Sequence, residues 1–337
     1  MLKVKDDGND NYGFIDRTDQ AVEFTYDANG NLLTDTNKGI TGTQWNHLNM
    51  PTNITVNNPQ HNGTISYVYS AAGIKVQKTV NDNGNITVTD YAGPYQYVNG
   101  TLEFIRNIED GYVYPKNDGS YGYMYYYTDQ LDNIRLMYSD ADGNGTIDPA
   151  TEIVKEEHFY PFGMKLEGFN GFVEAVGSDF HKYDYQNQER QGELGLDWLQ
   201  FKYRMHDPAT GRFVSVDPLA DSYVHNATYA FAENKVIMFN ELEGLEITLN
   251  KFQRMSYENK SWLGKATTFV GNAGISVANG AIDLFNYAGD LDRADQASGG
   301  FGQGAGAKVA SDASAVAGAV SDYAQNTSLE EFGADLK

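Results

Sequence analysis

Short apolar and aromatic runs alternate with turn-forming residues over the first 245 positions of the chain. Asn-Gly, Asp-Gly and Asp-Pro dipeptides separate these runs, which is the pattern of β-hairpins rather than of helices. The clearest predicted strands cover residues 23–26, 64–69, 85–91, 124–127 and 159–162. We therefore expect a mainly β fold over this part of the chain.

The predicted strand ends recur at a nearly constant spacing. Comparable positions fall at intervals of 21 or 22 residues, and each is followed by a small or polar turn. These positions are Tyr26, His47, Tyr69, Tyr91 and Tyr112. A unit of this length holds one strand-turn-strand and cannot bury both of its faces alone, so stacked units predict an elongated β-solenoid.

The composition changes near residue 245. Beyond residue 260 the chain is rich in Ala, Gly and Ser, and the stretches 263–284 and 305–324 predict helices. We expect a helical C-terminal tail that is a different kind of polypeptide from the β region.

Charge and cysteine content exclude several classes of function. The chain has 24 Lys and Arg against 46 Asp and Glu, a net charge of −22, which repels nucleic acid. It has no Cys, so disulfides, thiolate zinc sites and cysteine nucleophiles are excluded. The N-terminal residues lack the apolar core of a secretory signal.

Three stretches resemble the Rhs, or YD-repeat, family, in a form typical of Bacteroidetes. Residues 24–32 (FTYDANGNL) are similar to a YD-repeat. Residues 126–136 resemble the tyrosine-rich signature YYHTDHLGSTR, with departures at Gln130 and Asn133. Residues 203–219, with 229–234 after them, resemble the hallmark of the Rhs repeat-associated core domain. The resemblance extends from about residue 10 to residue 245.

This resemblance implies a β-cage in which hairpin repeats spiral into a hollow shell around a C-terminal effector, often a toxin. It divides the chain into a YD-repeat segment (1–119), an Rhs core domain (120–245) and a variable helical region (246–337). The chain is then expected to be the C-terminal piece of a larger secreted or cell-surface protein. Its expected partners are its own effector segment, an immunity protein and a secretion machinery, with no nucleic acid.

The resemblance also implies aspartyl self-cleavage. Two carboxylates that share a proton can hydrolyse a peptide bond, and a nearby arginine can stabilise a developing oxyanion. The core-domain motif offers Asp207 and Asp217 as the carboxylates, with Arg204 and Arg212 beside them. Equally, these Asp-Pro steps could be simple turns pinned by a buried Arg–Asp pair.

The expected cleavage site follows the core domain. The family's Gly-Leu cleavage motif matches Gly244 and Leu245, which places the cut between Leu245 and Glu246. The residues before it depart from the family pattern, because Glu-Leu-Glu-Gly stands in place of Asp-Pro-Asp-Gly. Glu241 keeps a carboxylate there but reaches one methylene further, enough to misplace it for catalysis.

An acidic loop between two predicted strands has the spacing of an EF-hand-type calcium loop. Its oxygen-bearing positions are Asp140, Asp142, Asn144, Thr146 through its carbonyl, and Asp148. Position 12 is Thr151, and the acid expected there, Glu152, comes one residue late. An ordinary Asp/Asn/Gly hairpin turn is the other interpretation. No further cofactor is expected.

Two other functions stay open on the sequence alone. The chain has 24 tyrosines, and exposed aromatic side chains on a β surface can bind sugars, so an adhesin that binds glycans or a neighbouring cell is the alternative. Cross-strand stacking of regularly spaced tyrosines is the simpler explanation of their number. A fragment with no activity of its own is the third possibility.

Overall fold

The computed structural model describes residues 1–8, 13–107, 111–166, 182–224 and 226–248, with side chains given as far as residue 245. Met1–Ile247 forms one compact unit. The helices predicted at 263–284 and 305–324, and nearly all of the segment 246–337, lie outside the described residues. Among the described residues, no helix is long and apolar enough to cross a bilayer.

A single antiparallel sheet of 13 strands takes up the first part of the chain, and each strand pairs with the next in sequence. This mainly β architecture confirms the expected fold class. The sheet continues across residue 119, where the sequence predicts a domain boundary. The strands are β1 Phe24–Tyr26, β2 Leu32–Asp35, β3 Ile40–Trp45, β4 Pro51–Asn57, β5 Asn62–Tyr69, β6 Lys75–Asp82, β7 Asn85–Ala92, β8 Tyr95–Val98, β9 Thr101–Asn107, β10 Gly111–Pro115, β11 Tyr121–Thr128, β12 Ile134–Tyr138 and β13 Ile153–Glu156.

Several hairpins share one turn device. Asp27 Oδ1 accepts hydrogen bonds from the backbone N–H groups two and four residues later, at 2.9 and 2.8 Å. Asn46 and Asp129 accept the same pair of bonds in their own turns. The residue three positions after each has a positive φ, and it is Gly30 in the first turn. Because such a turn sets the register of the hairpin it closes, these short motifs define the sheet locally.

The hairpins are less regular than the predicted period. Tyr26 and Tyr69 end β1 and β5 as expected, but Tyr112 lies second in β10 and does not end a strand. Hairpin lengths differ because the connections vary, from two residues at Asn83-Gly84 through five at the Asp27 turn to the long acidic loop 139–152. The tyrosine spacing therefore follows the hairpins only approximately.

Residues 159–162 do not form the predicted strand. Phe159 makes one isolated bridge to Lys165, and the chain between them turns back on itself. Pro161 follows Tyr160, whose carbonyl accepts from Gly163 N at 2.8 Å, and Gly163 has a φ of 89°. Proline at the second position of a turn and a positive-φ glycine after it favour reversal over extension.

A second β layer follows the large sheet. It has a four-stranded antiparallel sheet and a terminal two-stranded hairpin. Three short 3-10 turns with left-handed backbone angles belong to this layer, at Tyr185–Asn187, Glu193–Gly195 and Ala232–Asn234, and the last of them lies between the four-stranded sheet and the hairpin. The strands are β14 Glu189–Gln191, β15 Trp198–Gln200, β16 Met205–Asp207, β17 Arg212–Phe213, β18 Asn240–Leu242 and β19 Glu246–Thr248.

The two layers share a core. Ile54 and Ile65 from the large sheet pack in one cluster with Trp198 and Met205 from the second layer, and all four are nearly inaccessible to solvent. A backbone bond from Leu32 N to the Val214 carbonyl, 2.9 Å long, also joins the layers. The second layer is thus held rigidly on the strands, which matters because it carries every predicted catalytic side chain.

Buried charges lie between the same layers. Lys78 in β6 is completely buried and donates to Glu189 at 3.1 Å and to Glu193 at 2.7 Å. Lys75 and the Tyr91 hydroxyl also donate to Glu189. Although burial opposes ionisation, the two lysines lower the pKa of Glu189 well below its usual range.

Candidate functional site

Arg204 is the centre of the candidate site. It precedes β16 and is 3 % exposed, with its guanidinium 3.7 Å from the centre of the Phe213 ring. Its Nη2 lies 2.9 Å from Asp217 Oδ2 and 3.7 Å from Glu241 Oε1. One nitrogen therefore lies near two carboxylates, one in the loop after β17 and one in β18. Nη1 is buried and has no hydrogen-bond partner among the described residues.

Glu241 is held from both sides. Its Oε2 accepts from Ala232 N at 2.7 Å, and its own backbone N–H donates to Gln186 Oε1 at 2.9 Å. Ala232, Glu233 and Asn234 all have positive φ angles, a strained conformation for residues other than glycine. The left-handed turn aims the Ala232 amide at the Glu241 carboxylate, so Glu241 is fixed in place despite its extra methylene.

The predicted cleavage site lies at the same place. β18 and β19 form a hairpin whose turn residues Glu243 and Gly244 have φ angles of 56° and 83°, as in a type I′ turn. Leu245 N donates to the Leu242 carbonyl at 2.9 Å and closes the turn. Arg204 Nε donates to the carbonyl of Gly244, the residue before Leu245.

A small cleft joins these groups. Its lining includes Arg204, Asp217 and Glu241, then Leu245, and four residues that the sequence did not single out as functional. The full set is Arg204, Asp217, Tyr223, Asn226, Ala230, Glu233, Glu241 and Leu245. The structure thus brings four of the predicted site residues to one opening. Glu246 begins β19, and its side chain lies outside the described positions.

Asp207 and Arg212 lie elsewhere. They oppose each other in the β16–β17 hairpin and line a different cleft, against the first strands of the large sheet. The Asp207 carboxylate is contacted by Lys38 Nζ at 3.3 Å and by the Thr210 hydroxyl at 3.0 Å. Arg212 is exposed. Neither residue lines the Arg204 cleft, and Asp207 joins the core motif to the β2–β3 turn.

Burial shifts the titration of the central pair. Burial raises the pKa of Asp217, and Arg204 only partly opposes this effect. Burial likewise lowers the pKa of Arg204, although Asp217 and Glu241 counteract it. A carboxyl group with a raised pKa keeps its proton to a higher pH than an exposed aspartate does, which suits it to donate that proton beside a second carboxylate and an arginine.

The acidic loop links β12 to β13. Asp140, Asp142 and Glu152 each offer a carboxylate oxygen, and these oxygens lie within 4.8 Å of one another. Glu152 comes one residue late by the EF-hand count. Its carboxylate still lies beside the two aspartates, because its Oε1 accepts a hydrogen bond from Ala141 N at 2.7 Å. Asp148 is not in this group, since its carboxylate accepts from Ala150 N and the Thr151 hydroxyl. Asn144 Oδ1 accepts from Thr146 N at 2.7 Å.

Sequence reasoning missed several residues that support the site. The partner of Asp207, Lys38, lies in a distant hairpin and had no local signal. Gln186 and Ala232 each lie in a left-handed turn and each make a hydrogen bond to Glu241. No composition pattern predicts such turns. The sequence could have pointed to Glu233, because it belongs to the stretch 229–234 that carries part of the resemblance.

Comparisons with known proteins bear on the fold. No protein-family model and no curated protein matches the chain. Among solved structures, the Photorhabdus luminescens Tc holotoxin pore with a TccC3 aspartate-to-alanine mutation matches with a TM-score of 0.51 and 17% identity over 70% of this chain. The TcdB2–TccC3 crystal structure matches with a TM-score of 0.50 and 17% identity over 65%.

The described fold is similar to part of these Tc toxin chains. This chain spans 11% of the length of each matched chain. At such low identity the likeness concerns the fold alone, and it agrees with the Rhs-like β architecture expected from the motifs.

Proposed function

We propose that this chain is the end of a Rhs-type shell that presents its C-terminal region as an effector and releases it by cutting itself after Leu245. The observation that carries this proposal is the cleft in which Arg204 contacts Asp217 and Glu241 while also bonding the Gly244 carbonyl. The domain division at residues 119 and 245, and a secreted or cell-surface location as part of a larger protein, belong to the same proposal.

The chemistry is hydrolysis of one amide bond. Glu241, ionised, takes a proton from a water molecule that attacks the Leu245 carbonyl carbon. Asp217, whose pKa burial raises, donates its proton to the carbonyl oxygen, and Nη1 of Arg204 is available to stabilise the negative charge that develops there. Glu241 then passes the proton it took to the Glu246 nitrogen as the C–N bond breaks, and one hydroxyl of the intermediate returns a proton to Asp217, leaving a carboxylic acid on Leu245 and a free amine on Glu246. Asp207 enters this scheme only as a support that holds the core motif against Lys38.

Intact mass of the freshly expressed full chain tests the proposal. The protein is denatured at neutral pH, because hot acid breaks Asp-Pro bonds unaided and this chain has three, after Asp148, Asp207 and Asp217. We expect two species whose masses correspond to a cut between Leu245 and Glu246. Asp217→Asn and Glu241→Gln should each give one full-length species, whereas Asp221→Asn, an exposed aspartate nearby, should cut as the original chain does.

A single full-length species from the unmodified chain, at every pH between about 4 and 8, would refute self-cleavage. Cutting that persists in both the Asp217 and the Glu241 variant would refute this pair of catalytic groups. Loss of cutting in Asp207→Asn but not in Glu241→Gln would restore Asp207 as the second carboxylate.

We further propose that the 140–152 loop binds a structural Ca²⁺. The three convergent carboxylates, with Asn144 and the Thr146 carbonyl in the loop, are the hard oxygen donors that this ion prefers. Calcium titration should raise the melting temperature of the full chain, and Asp142→Asn together with Glu152→Gln should abolish the rise. Lys116→Gln in the neighbouring exposed turn is the control. An equal rise with and without the two carboxylates would refute the site.

A further inference from the structure

Four tyrosines form an exposed row on the outer face of β11. Strand residues alternate between the two faces of a sheet, so Tyr121, Tyr123, Tyr125 and Tyr127 share one face. They are 51%, 54%, 39% and 64% exposed. Between them, Met124 points to the opposite face and is buried in the core. The sheet therefore buries one side of this strand and leaves the tyrosine row in solvent.

The neighbouring strands extend this surface without adding charge. The register places Pro115 and Val113 of β10 opposite Tyr121 and Tyr123. On the other side, Tyr138 of β12 lies opposite Tyr125, and the two rings stack with centroids 5.6 Å apart. No residue of β11 is charged, in a chain whose net charge is −22. Because these four rings are exposed, they contribute little to the apolar burial that stabilises the sheet.

The size of the tyrosine row limits what can occupy it. Half-exposed tyrosines leave roughly 400 Å² of ring surface in solvent, within the range of functional surface patches. A stable protein–protein interface needs about 800 Å² on each partner. A second copy of this chain would also carry the same large negative charge, which opposes association. The surface therefore fits an occupant smaller than a folded protein.

Its backbone and its shape limit the occupant further. β11 is hydrogen-bonded to β10 on one side and to β12 on the other, so it offers no free edge to an added peptide strand. Alternate residues on a strand lie about 6.8 Å apart, so the four rings form a straight line about 20 Å long. A linear, neutral, hydroxyl-rich polymer matches this line: sugar rings stack on aromatic faces, and tyrosine hydroxyls bond to sugar hydroxyls.

We propose that the tyrosine row of β11 is a binding surface for a neutral polysaccharide. This site is separate from the Arg204 cleft and does not depend on self-cleavage. An Asp217→Asn chain should bind the sugar as the original chain does, so failure of either proposal leaves the other intact.

Calorimetric titration of the full chain with cellotetraose, chitotetraose and maltotetraose tests this proposal. We expect at least one of them to bind at millimolar concentration or below. Tyr123→Ala combined with Tyr127→Ala should weaken that binding by roughly tenfold or more. Tyr123→Phe combined with Tyr127→Phe keeps the rings and should retain most of it. Tyr95→Ala, which removes an exposed tyrosine of β8 outside the row, should leave it unchanged.

Three results would overturn the proposal. The first is that none of the three tetrasaccharides binds to the folded chain. The second is that the double alanine variant, folded by circular dichroism, binds as tightly as the original. The third is a dimer, seen by sedimentation, or an attachment to phosphatidylcholine vesicles that the same double variant loses, because the row would then have a second copy or a lipid surface as its occupant.

Discussion

Arg204 and Asp217 form a buried ion pair 2.9 Å long, with Glu241 3.7 Å from the same nitrogen. Two carboxylates thus depend on one guanidinium in a place with little access to water. Removing the arginine leaves the buried acids without their counter-charge, whereas removing either acid leaves the arginine paired with the other. This asymmetry makes Arg204 the most sensitive residue of the candidate site.

Arg204→Leu should lower the free energy of unfolding by about 3–5 kcal/mol, because it leaves buried carboxylates without a counter-charge. Urea unfolding followed by tyrosine fluorescence measures the change. The control is Lys202→Leu, two residues before Arg204. It breaks the half-exposed ion pair with Glu243 and should lower the free energy of unfolding by less than about 1 kcal/mol. Equal effects of the two substitutions would show that the Arg204 pair is not buried in solution.

Gly30→Ala should destabilise the fold more than Gly84→Ala. Both glycines have a positive φ, so alanine strains each backbone by about 1 kcal/mol. An added Cβ at Gly30 would lie 2.6 Å from the Tyr229 hydroxyl oxygen and from Val216, whereas at Gly84 nothing lies within 4 Å. The overpacking at Gly30 should add about 1–3 kcal/mol in urea unfolding. Equal losses would argue that Tyr229 does not pack on this turn.

Lys78→Met should cost about 3–5 kcal/mol in unfolding free energy, because Glu189 and Glu193 lose a fully buried partner. Adding Glu193→Met should recover part of that loss, since the unpaired charge is removed as well. Lys116→Met, in an exposed turn, should change the unfolding free energy little. If the double variant is no more stable than Lys78→Met, Lys78 and Glu193 are not coupled, which would contradict the ion pair between them.

The stability of the folded unit should be greatest at mildly acidic pH. Although burial opposes ionisation, Lys78 and Lys182 lower the pKa of Glu193 from 4.5 to about 2, so the stability it contributes is lost as the pH falls from about 4.5 towards 2. Burial raises the pKa of Asp35 from 3.8 to about 6, so its contribution is present below about pH 4 and is lost as the pH rises through 6.

Asp35→Asn tests the alkaline side of this profile. Removing the titrating group should flatten the loss of unfolding free energy between about pH 4 and pH 7, while the acidic side stays as it was. Urea unfolding at a series of pH values, for the original chain and the variant, gives both slopes. Parallel profiles for the two proteins would contradict the assignment to Asp35.

The sequence by itself determined the parts of this protein that depend on near neighbours. Turn residues such as Asp27, with Gly30 three positions on, specify a hairpin locally, and alternation of apolar residues specifies which face of a strand is buried. The β class, four of the five clearest predicted strands and the Rhs resemblance follow from such short patterns. The strand predicted at 159–162 failed for the same local reason, since its Pro161 and Gly163 favour a turn.

Only the tertiary structure decided which acids stand together. Asp207 and Asp217 are close in sequence, but they belong to different clefts because the β16–β17 hairpin carries Asp207 to Lys38. Asp217 meets Glu241 instead, through Arg204. Such pairings depend on how the second β layer packs on the large sheet, and burial between distant segments leaves no periodic trace in the sequence.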